Sequence, residues 1–187
     1  DAMATTIWGT SSSWTLTALP LFVWMGEILF RTKLSKNLFE GLSPWMQKLP
    51  GGLIHVNVVG CALFAAISGS SAATVATVGK MSIPELRKRR YPERILLGSL
   101  AGSGTLGLLI PPSIILIIYG VTVQESIAKL FIAGILPGIM IATIFMLYVV
   151  FWSLLNKKIM PKSFENFSFF QKIKKSKQLL PVIILIL

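Results

Sequence analysis

Two short stretches hold most of the residues able to do chemistry away from water. The first, Ser68-Gly69-Ser70-Ser71, sets three hydroxyls around a glycine; the second, GSGTLGLLIPPS over residues 102–113, adds the hydroxyls of Ser103, Thr105 and Ser113. Each lies in apolar surroundings, residues 53–79 and 95–123, that contain no Asp or Glu. Glycine and proline interrupt a helix, one through backbone freedom and the other through a missing amide donor, and so expose backbone groups that a helix would otherwise pair. Unwound carbonyls and half-helix C-termini coordinate a cation such as Na+, whereas half-helix N-termini attract an anion. With no carboxylate in either stretch, a cation site here would be built from neutral oxygens: carbonyls and the hydroxyls of Ser68, Ser70, Ser71, Ser103, Thr105 and Ser113.

Other chemistries fit less well. A serine hydrolase needs a base within hydrogen-bond reach of its nucleophile. His55 is the only histidine, and thirteen residues separate it from Ser68, or ~20 Å along a helix. His55 is therefore expected at the base of this segment, near the membrane interface. HExxH, Walker, paired-carboxylate and zinc-ligand patterns are absent, and Gly102-Ser103-Gly104 follows no strand, so a dinucleotide fingerprint is excluded. Glu27 is expected to pair with Arg31 at i+4 near a water boundary, the sharper alternative being a buried carboxylate that handles protons or ions.

The elements that must position these groups are membrane segments. Lys and Arg number 18 against 7 Asp and Glu, giving a net charge of +11, but the basic residues gather in loops between apolar runs. That is the signature of positive-inside topology rather than of nucleic-acid binding. The expected fold class is an all-α polytopic membrane protein. Residues 1–50 hold a first span, 14–30, kinked at Pro20, and then an amphipathic arm over 34–49 that lies in the interface and is interrupted near Pro44. Residues 51–125 hold the two interrupted segments. Basic clusters flank residues 53–79 on both sides, so that segment crosses an even number of times, yet two spans need ~40 residues and it has 27. A re-entrant hairpin with its tip at Ser68–Ser71 meets both constraints, a single long helix being the alternative. Residues 95–123 form a broken span. For Gly98 and Gly102, four apart, close helix packing is the expected role. Residues 126–156 return across the membrane with a bend at Pro137-Gly138, and 157–178 form a basic loop, either solvated or resting on the anionic leaflet. Residues 179–187 begin a further span. Cys61 is the only cysteine, so no intrachain disulfide forms. The chain starts without Met and stops inside PVIILIL, and is expected to be a fragment.

At LPGGLIHVNV, FAAISGSSAATVATVGKMSIPELRKR, GSGTLGLLIPPSIILIIYG and SIAKLFIAGILPG, the chain resembles the large membrane subunit, the DctM-like component, of tripartite ATP-independent periplasmic (TRAP) transporters. The stretches occur in family order and spacing. The resemblance implies a Na+-coupled importer of organic anions, carboxylates such as C4-dicarboxylates, keto acids or sugar acids. It also implies a periplasmic (DctP-like) binding protein, a small membrane (DctQ-like) subunit, a bacterial inner-membrane location and no cofactor. The implied fold is an elevator of two inverted repeats, of which this chain would hold the first. Its first Na+ site would fall at Ser68, Gly69, Ser70, Ser71, Gly104, Thr105 and Gly107, with Ser103, Pro111, Pro112 and Ser113 beside the substrate. Thr74 stands where many members have Asp, and Leu108 where many have Pro. The alternatives are a dicarboxylate- or citrate-type carrier working without a binding protein, and an intramembrane serine hydrolase.

Overall fold

The structure is a computed structural model that describes residues 2–11, 14–32, 34–161 and 169–186. Among these residues every regular element is helical: α1 Ala2–Ser11, α2 Trp14–Arg31, α3 Leu34–Met46, α4 Ile54–Ser68, α5 Ser71–Lys88, α6 Glu93–Gly104, α7 Ile114–Thr122, α8 Ile127–Leu155, α9 Phe169–Ser176 and α10 Leu180–Ile186. A 3-10 turn, Thr105–Leu108, follows α6, and another, Lys177–Leu179, joins α9 to α10.

α4 is the central element. It is apolar or small almost all round, and a helix of that pattern is buried on every side. It packs on α5, α6, α3, α8 and α2. Val56, Cys61, Phe64 and Ile67 join Leu38, Phe39 and Leu42 of α3, Val78 and Leu86 of α5, Leu96 and Leu100 of α6, and Val182 of α10 in one core. A second cluster, Ile54, Val58, Ile95 and Val149, fixes α4 and α6 to α8. Asn57 adds a polar tie inside this packing, its Nδ2 donating to Ser99 Oγ at 3.0 Å and to Leu96 O at 3.3 Å.

Residues 53–79 are not one helix. α4 ends at Ser68, Gly69 takes a left-handed φ of +60° whose N–H caps Ala65 O, and Ser70 starts α5 as its N-cap. A left-handed residue at a helix C-terminus is the position glycine fills without steric penalty. α5 then runs on through Lys80 and Pro84 to Lys88, so that the front of the basic cluster is helical. The span over 95–123 breaks as expected: α6 stops at Gly104, the chain passes through the 3-10 turn and the cis Pro111-Pro112 bond, and α7 restarts after Ser113.

Several expectations are corrected. α3 continues through Pro44 to Met46, because a proline this close to a helix end removes only the amide that would have paired with Glu40 O. Its apolar face is covered by protein, with Leu38, Phe39 and Leu42 buried against the core. α8 runs unbroken through Pro137, where the bend is expected. Among the described residues nothing packs against Gly98, where an added Cβ would meet open space; Gly102 touches Phe145 at ordinary distance. His55 is completely buried, with Nε2 donating to Pro50 O at 2.7 Å and Nδ1 3.1 Å from Met146 Sδ. Part of the basic loop is neither a linker nor free. α9 docks on α3, where Trp45 Nε1 donates to Ser176 Oγ at 2.8 Å and Lys172 Nζ stands 5.3 Å from the Trp45 ring centre. Lys162, Phe164 and Phe167 lie outside the described residues.

α8 is the one helix among the described residues long and apolar enough to cross a membrane. Its outer row, Ile132, Leu136, Ile139, Leu147 and Phe151, is exposed, an apolar surface of the kind that meets lipid or another protein. The Glu27–Arg31 pair is present, with Arg31 Nη2 2.8 Å from Glu27 Oε1 and both side chains exposed.

Candidate functional site

The two breaks meet. Gly107, in the 3-10 turn, lies flat on the tip of the α4–α5 hairpin: a Cβ added there would stand 2.8 Å from Ser70 C and Ser71 N and 2.9 Å from Ser70 O. Such distances are shorter than real Cβ contacts, so only a residue without a side chain lets the backbones approach this closely. Gly104 makes room for the Val75 side chain, with the Ser71 carbonyl at an ordinary 3.9 Å from an added Cβ. On the far side of the break, Ile114 N–H donates to Gly69 O at 3.2 Å, and a Cβ on Gly69 would come within 2.7 Å of Pro112 O. The first amide of α7, one of the orphan donors of a helix N-terminus, is thus satisfied by the hairpin tip.

Within the tip the hydroxyls are organised around one carbonyl. Ser70 O accepts from Thr74 Oγ1 at 2.7 Å, from Thr74 N–H at 3.0 Å and from Ser68 Oγ at 3.3 Å. Each hydroxyl has one proton, so with Thr74 Oγ1 donating to Ser70 O the Ser68 proton serves either Ser70 O or Thr74 Oγ1, 2.9 Å away. Ser70 Oγ accepts from Ala73 N–H at 3.4 Å as the N-cap of α5. Ser68 and Thr74 are buried. With both lone pairs met by Thr74 Oγ1 and Thr74 N–H, the Ser70 carbonyl has little capacity left for a cation, whereas a hydroxyl that donates its proton keeps lone pairs to offer. The tip's hydroxyl oxygens are therefore better placed as ligands than the Ser70 carbonyl.

The remaining candidates divide. Ser113 Oγ donates to Leu108 O at 2.7 Å and caps α7 by accepting from Leu116 N–H at 3.5 Å, closing the irregular segment into a loop. Thr105 Oγ1 donates to Gly102 O at 2.7 Å and is exposed. Pro111 packs towards Gly134 of α8, whose added Cβ would be 2.9 Å from Leu109 O, and Gly138 leaves similar room for Ile110. The unwound backbone at 109–111 is therefore shielded by two glycines of α8. Ser103 is not at the tip; its hydroxyl turns back to Ser99 O at 2.6 Å and lies 3.4 Å from Asn57 O. Composition and spacing do not mark Thr74 or Gly26 as participants: Thr74 stands out only as a departure from a family pattern, and Gly26 of α2 brings that helix against Ser68, 3.6 Å from an added Cβ to Ser68 O. A Thr four residues after a capping Ser was the available signal for the first; nothing local marked the second. Among the described residues no group of three or more His, Cys, Asp or Glu converges in a metal-holding cluster.

Comparison with known proteins supplies the family. Residues 1–187 match the family described as "Tripartite ATP-independent periplasmic transporter, DctM component". The chain is 37% identical over 148 residues to the C4-dicarboxylate TRAP transporter large permease protein DctM of Pseudomonas aeruginosa, covering 79% of this chain and 35% of that protein. It is 39% identical over 145 residues to the 2,3-diketo-L-gulonate TRAP transporter large permease protein YiaN of Escherichia coli, covering 78% and 34%. It is 35% identical over 153 residues to the isethionate TRAP transporter permease protein DctMQ of Oleidesulfovibrio alaskensis, covering 82% and 24%. The chain thus spans about a quarter to a third of the length of these relatives. All three are named as transporter permeases. A hairpin tip seated in a helix break, on a chain that matches this family from end to end, therefore belongs to a membrane-embedded transporter component rather than an enzyme: the chain belongs to the DctM component family of tripartite ATP-independent periplasmic transporters.

Proposed function

We propose that this chain forms one half of the ion and substrate site of a Na+-coupled importer of organic anions. It would work in a bacterial inner membrane with a small DctQ-like membrane subunit and a periplasmic DctP-like binding protein. The observation that carries the reading is the seating of Ser70–Ser71 on Gly107 with Ile114 N–H on Gly69 O. Interrupted backbone at membrane depth is tolerated only where protein covers it or where it lines a polar cavity, and here one interruption covers the other. In this reading α4 and α5 are a re-entrant hairpin, α6 and α7 one discontinuous span, and α8 the return span. The basic ends of α5 and α8 lie in the cytoplasm.

Na+ would take its ligands from the neutral oxygens of Ser68, Ser70, Ser71 and Thr105 together with backbone around Gly69, Gly104 and Gly107. The N-terminus of α7, with Pro111, Pro112 and Ser113, would face the anionic substrate, where a helix N-terminus favours negative charge. Ser103 would act from behind, by holding α6 to α4. The relatives are named for three different substrates, C4-dicarboxylate, 2,3-diketo-L-gulonate and isethionate, so the organic-anion class is inferred and the particular anion is left to the partners and to the rest of the permease. The test is uptake into proteoliposomes by the full-length permease with its two partners. Accumulation should follow an inward Na+ gradient, and uptake indifferent to that gradient would remove the coupling proposal.

A further inference from the structure

A cavity of about 410 Å³ lies away from the tip, where the end of α3, the loop after α5 and the end of α8 converge. Its polar lining is unbalanced. Gln47, Lys48, Arg89, Tyr91, Ser153 and Lys157 line it and no carboxylate does. Arg89 is matched by Glu85 at 2.7 Å, behind the wall, whereas Lys48 and Lys157 make no ion pair among the described residues. The cavity therefore carries about two uncompensated positive charges. Tyr91 Oη already accepts from Leu53 N–H at 3.0 Å, so its own proton is free to be donated. Gln47 is only 8% exposed, and neither its Nε2 nor its Oε1 has a hydrogen-bond partner. A buried amide left unpaired is costly, and with no hydrogen bond holding its rotamer Gln47 loses none in turning towards a ligand. Depth adds a second constraint. Ser153 and Leu154 belong to the last turn of α8, the candidate span, and Lys157 follows that helix, so in the threading proposed above the cavity falls at the level of the lipid phosphates.

We propose that this cavity binds a phosphate group, held between the ammonium groups of Lys48 and Lys157 and by donation from Gln47, Tyr91 and Ser153. Two sources present that chemistry at this depth, the headgroup of an anionic phospholipid and free phosphate in the adjoining water. Basic pockets beside membrane helices are general recognition sites for anionic headgroups. The cavity joins α3 to the base of the hairpin and to α8, so its occupant would bridge three elements that otherwise meet through a loop. Which side of the membrane it faces rests on the topology proposed above, but the binding itself does not.

The test uses the full-length permease and reads binding rather than uptake, so that it stands apart from Na+ coupling. In native mass spectrometry after delipidation, phosphatidylglycerol adducts should survive activation better than phosphatidylcholine adducts. Lys48→Ala/Lys157→Ala should weaken that preference by roughly thirtyfold, given about 1 kcal/mol for each basic side chain near anionic lipid. Lys129→Ala, the same charge change as Lys157→Ala alone but at the other end of α8, should leave it intact. In parallel, inorganic phosphate at millimolar concentration should raise the unfolding temperature if free phosphate is the occupant, and leave it unmoved if only the lipid is. Gln47→Leu, which fills the same volume without polar atoms, should reduce whichever signal is found. The proposal is overturned if phosphatidylglycerol and phosphatidylcholine are retained alike and phosphate causes no shift. It is equally overturned if succinate matches phosphate, or if Lys129→Ala acts as strongly as Lys157→Ala.

Discussion

At Gly107 a single hydrogen atom decides whether two backbones can touch. The 2.8 Å that an added Cβ would find to Ser70 C and Ser71 N involves main chain on both sides, so no rotamer change relieves it. Gly107→Ala should separate the tip from the break and destabilise the permease by about 1–3 kcal/mol, the usual range for overpacking. Thermal unfolding reads that cost, and the Na+ concentration for half-maximal uptake should rise with it. The hydroxyls give a cleaner test of ligation. Ser70→Ala also removes the cap on Ala73 N–H, a loss worth about 0.5–2 kcal/mol by itself, so its effect on Na+ dependence has to exceed its effect on unfolding. Thr105 is exposed and its hydroxyl donates to Gly102 O, three residues back; Thr105→Val should therefore leave stability within about 0.5 kcal/mol while weakening Na+ activation of uptake. Unchanged Na+ activation in both variants would count against placing the ion at this tip.

The elements show why part of this was legible beforehand and part was not. The turn at Ser68–Ser71 and the interruption at 102–113 are written locally, in glycine, proline and capping serine, and the structure breaks its helices there. That the two breaks touch each other could be argued only from charge counting and resemblance, because contact between segments some 35 residues apart has no local signal. The misreadings share that cause. Pro44 reads as an interruption unless the helix end is known to lie two residues on, Gly98 reads as a packing glycine unless its neighbour is known to be absent, and α9 reads as a linker unless Trp45 and Glu40 are known to receive Ser176 and Gln178. Tyr91 belongs to this scale as well, since its hydroxyl ties the loop after α5 to the start of α4 by accepting Leu53 N–H at 3.0 Å. Burial pushes its phenol above the usual range, while the Leu53 hydrogen bond and the Arg89 charge pull it down by less. The folded chain thus holds its proton at pH values where an unfolded chain, with a phenol near about 10, gives it up. Tyr91 favours the folded state fully below that pH, and its contribution is lost as pH rises through the folded value. Tyr91→Phe should cost about 1–3 kcal/mol at neutral pH, by stranding a buried amide donor, and should flatten the loss of thermal stability seen above pH 10.

For the whole molecule the decisive quantity is which way the chain is threaded. α8 has 29 residues, about 43 Å of helix at 1.5 Å per residue, against a hydrocarbon core of about 30 Å, so it is long enough to cross with a turn or more to spare at its ends. One end adjoins Gln124 and Glu125 and the other Lys157 and Lys158. Basic side chains are retained on the cytoplasmic side, so the proposed threading has the Glu125 turn outside and the α8 C-terminus inside. Cys61 is fully buried, which makes it a quiet background for accessibility labelling, and Cys61→Ala removes it if required. In intact cells stripped of their outer membrane, an impermeant maleimide should label Glu125→Cys at once and Lys158→Cys only after permeabilisation. The reverse order would turn the whole segment over. The hairpin would then enter from the periplasmic face, the tip would be approached from the wrong side for an importer, and the substrate-facing role given to the α7 N-terminus would fall with it.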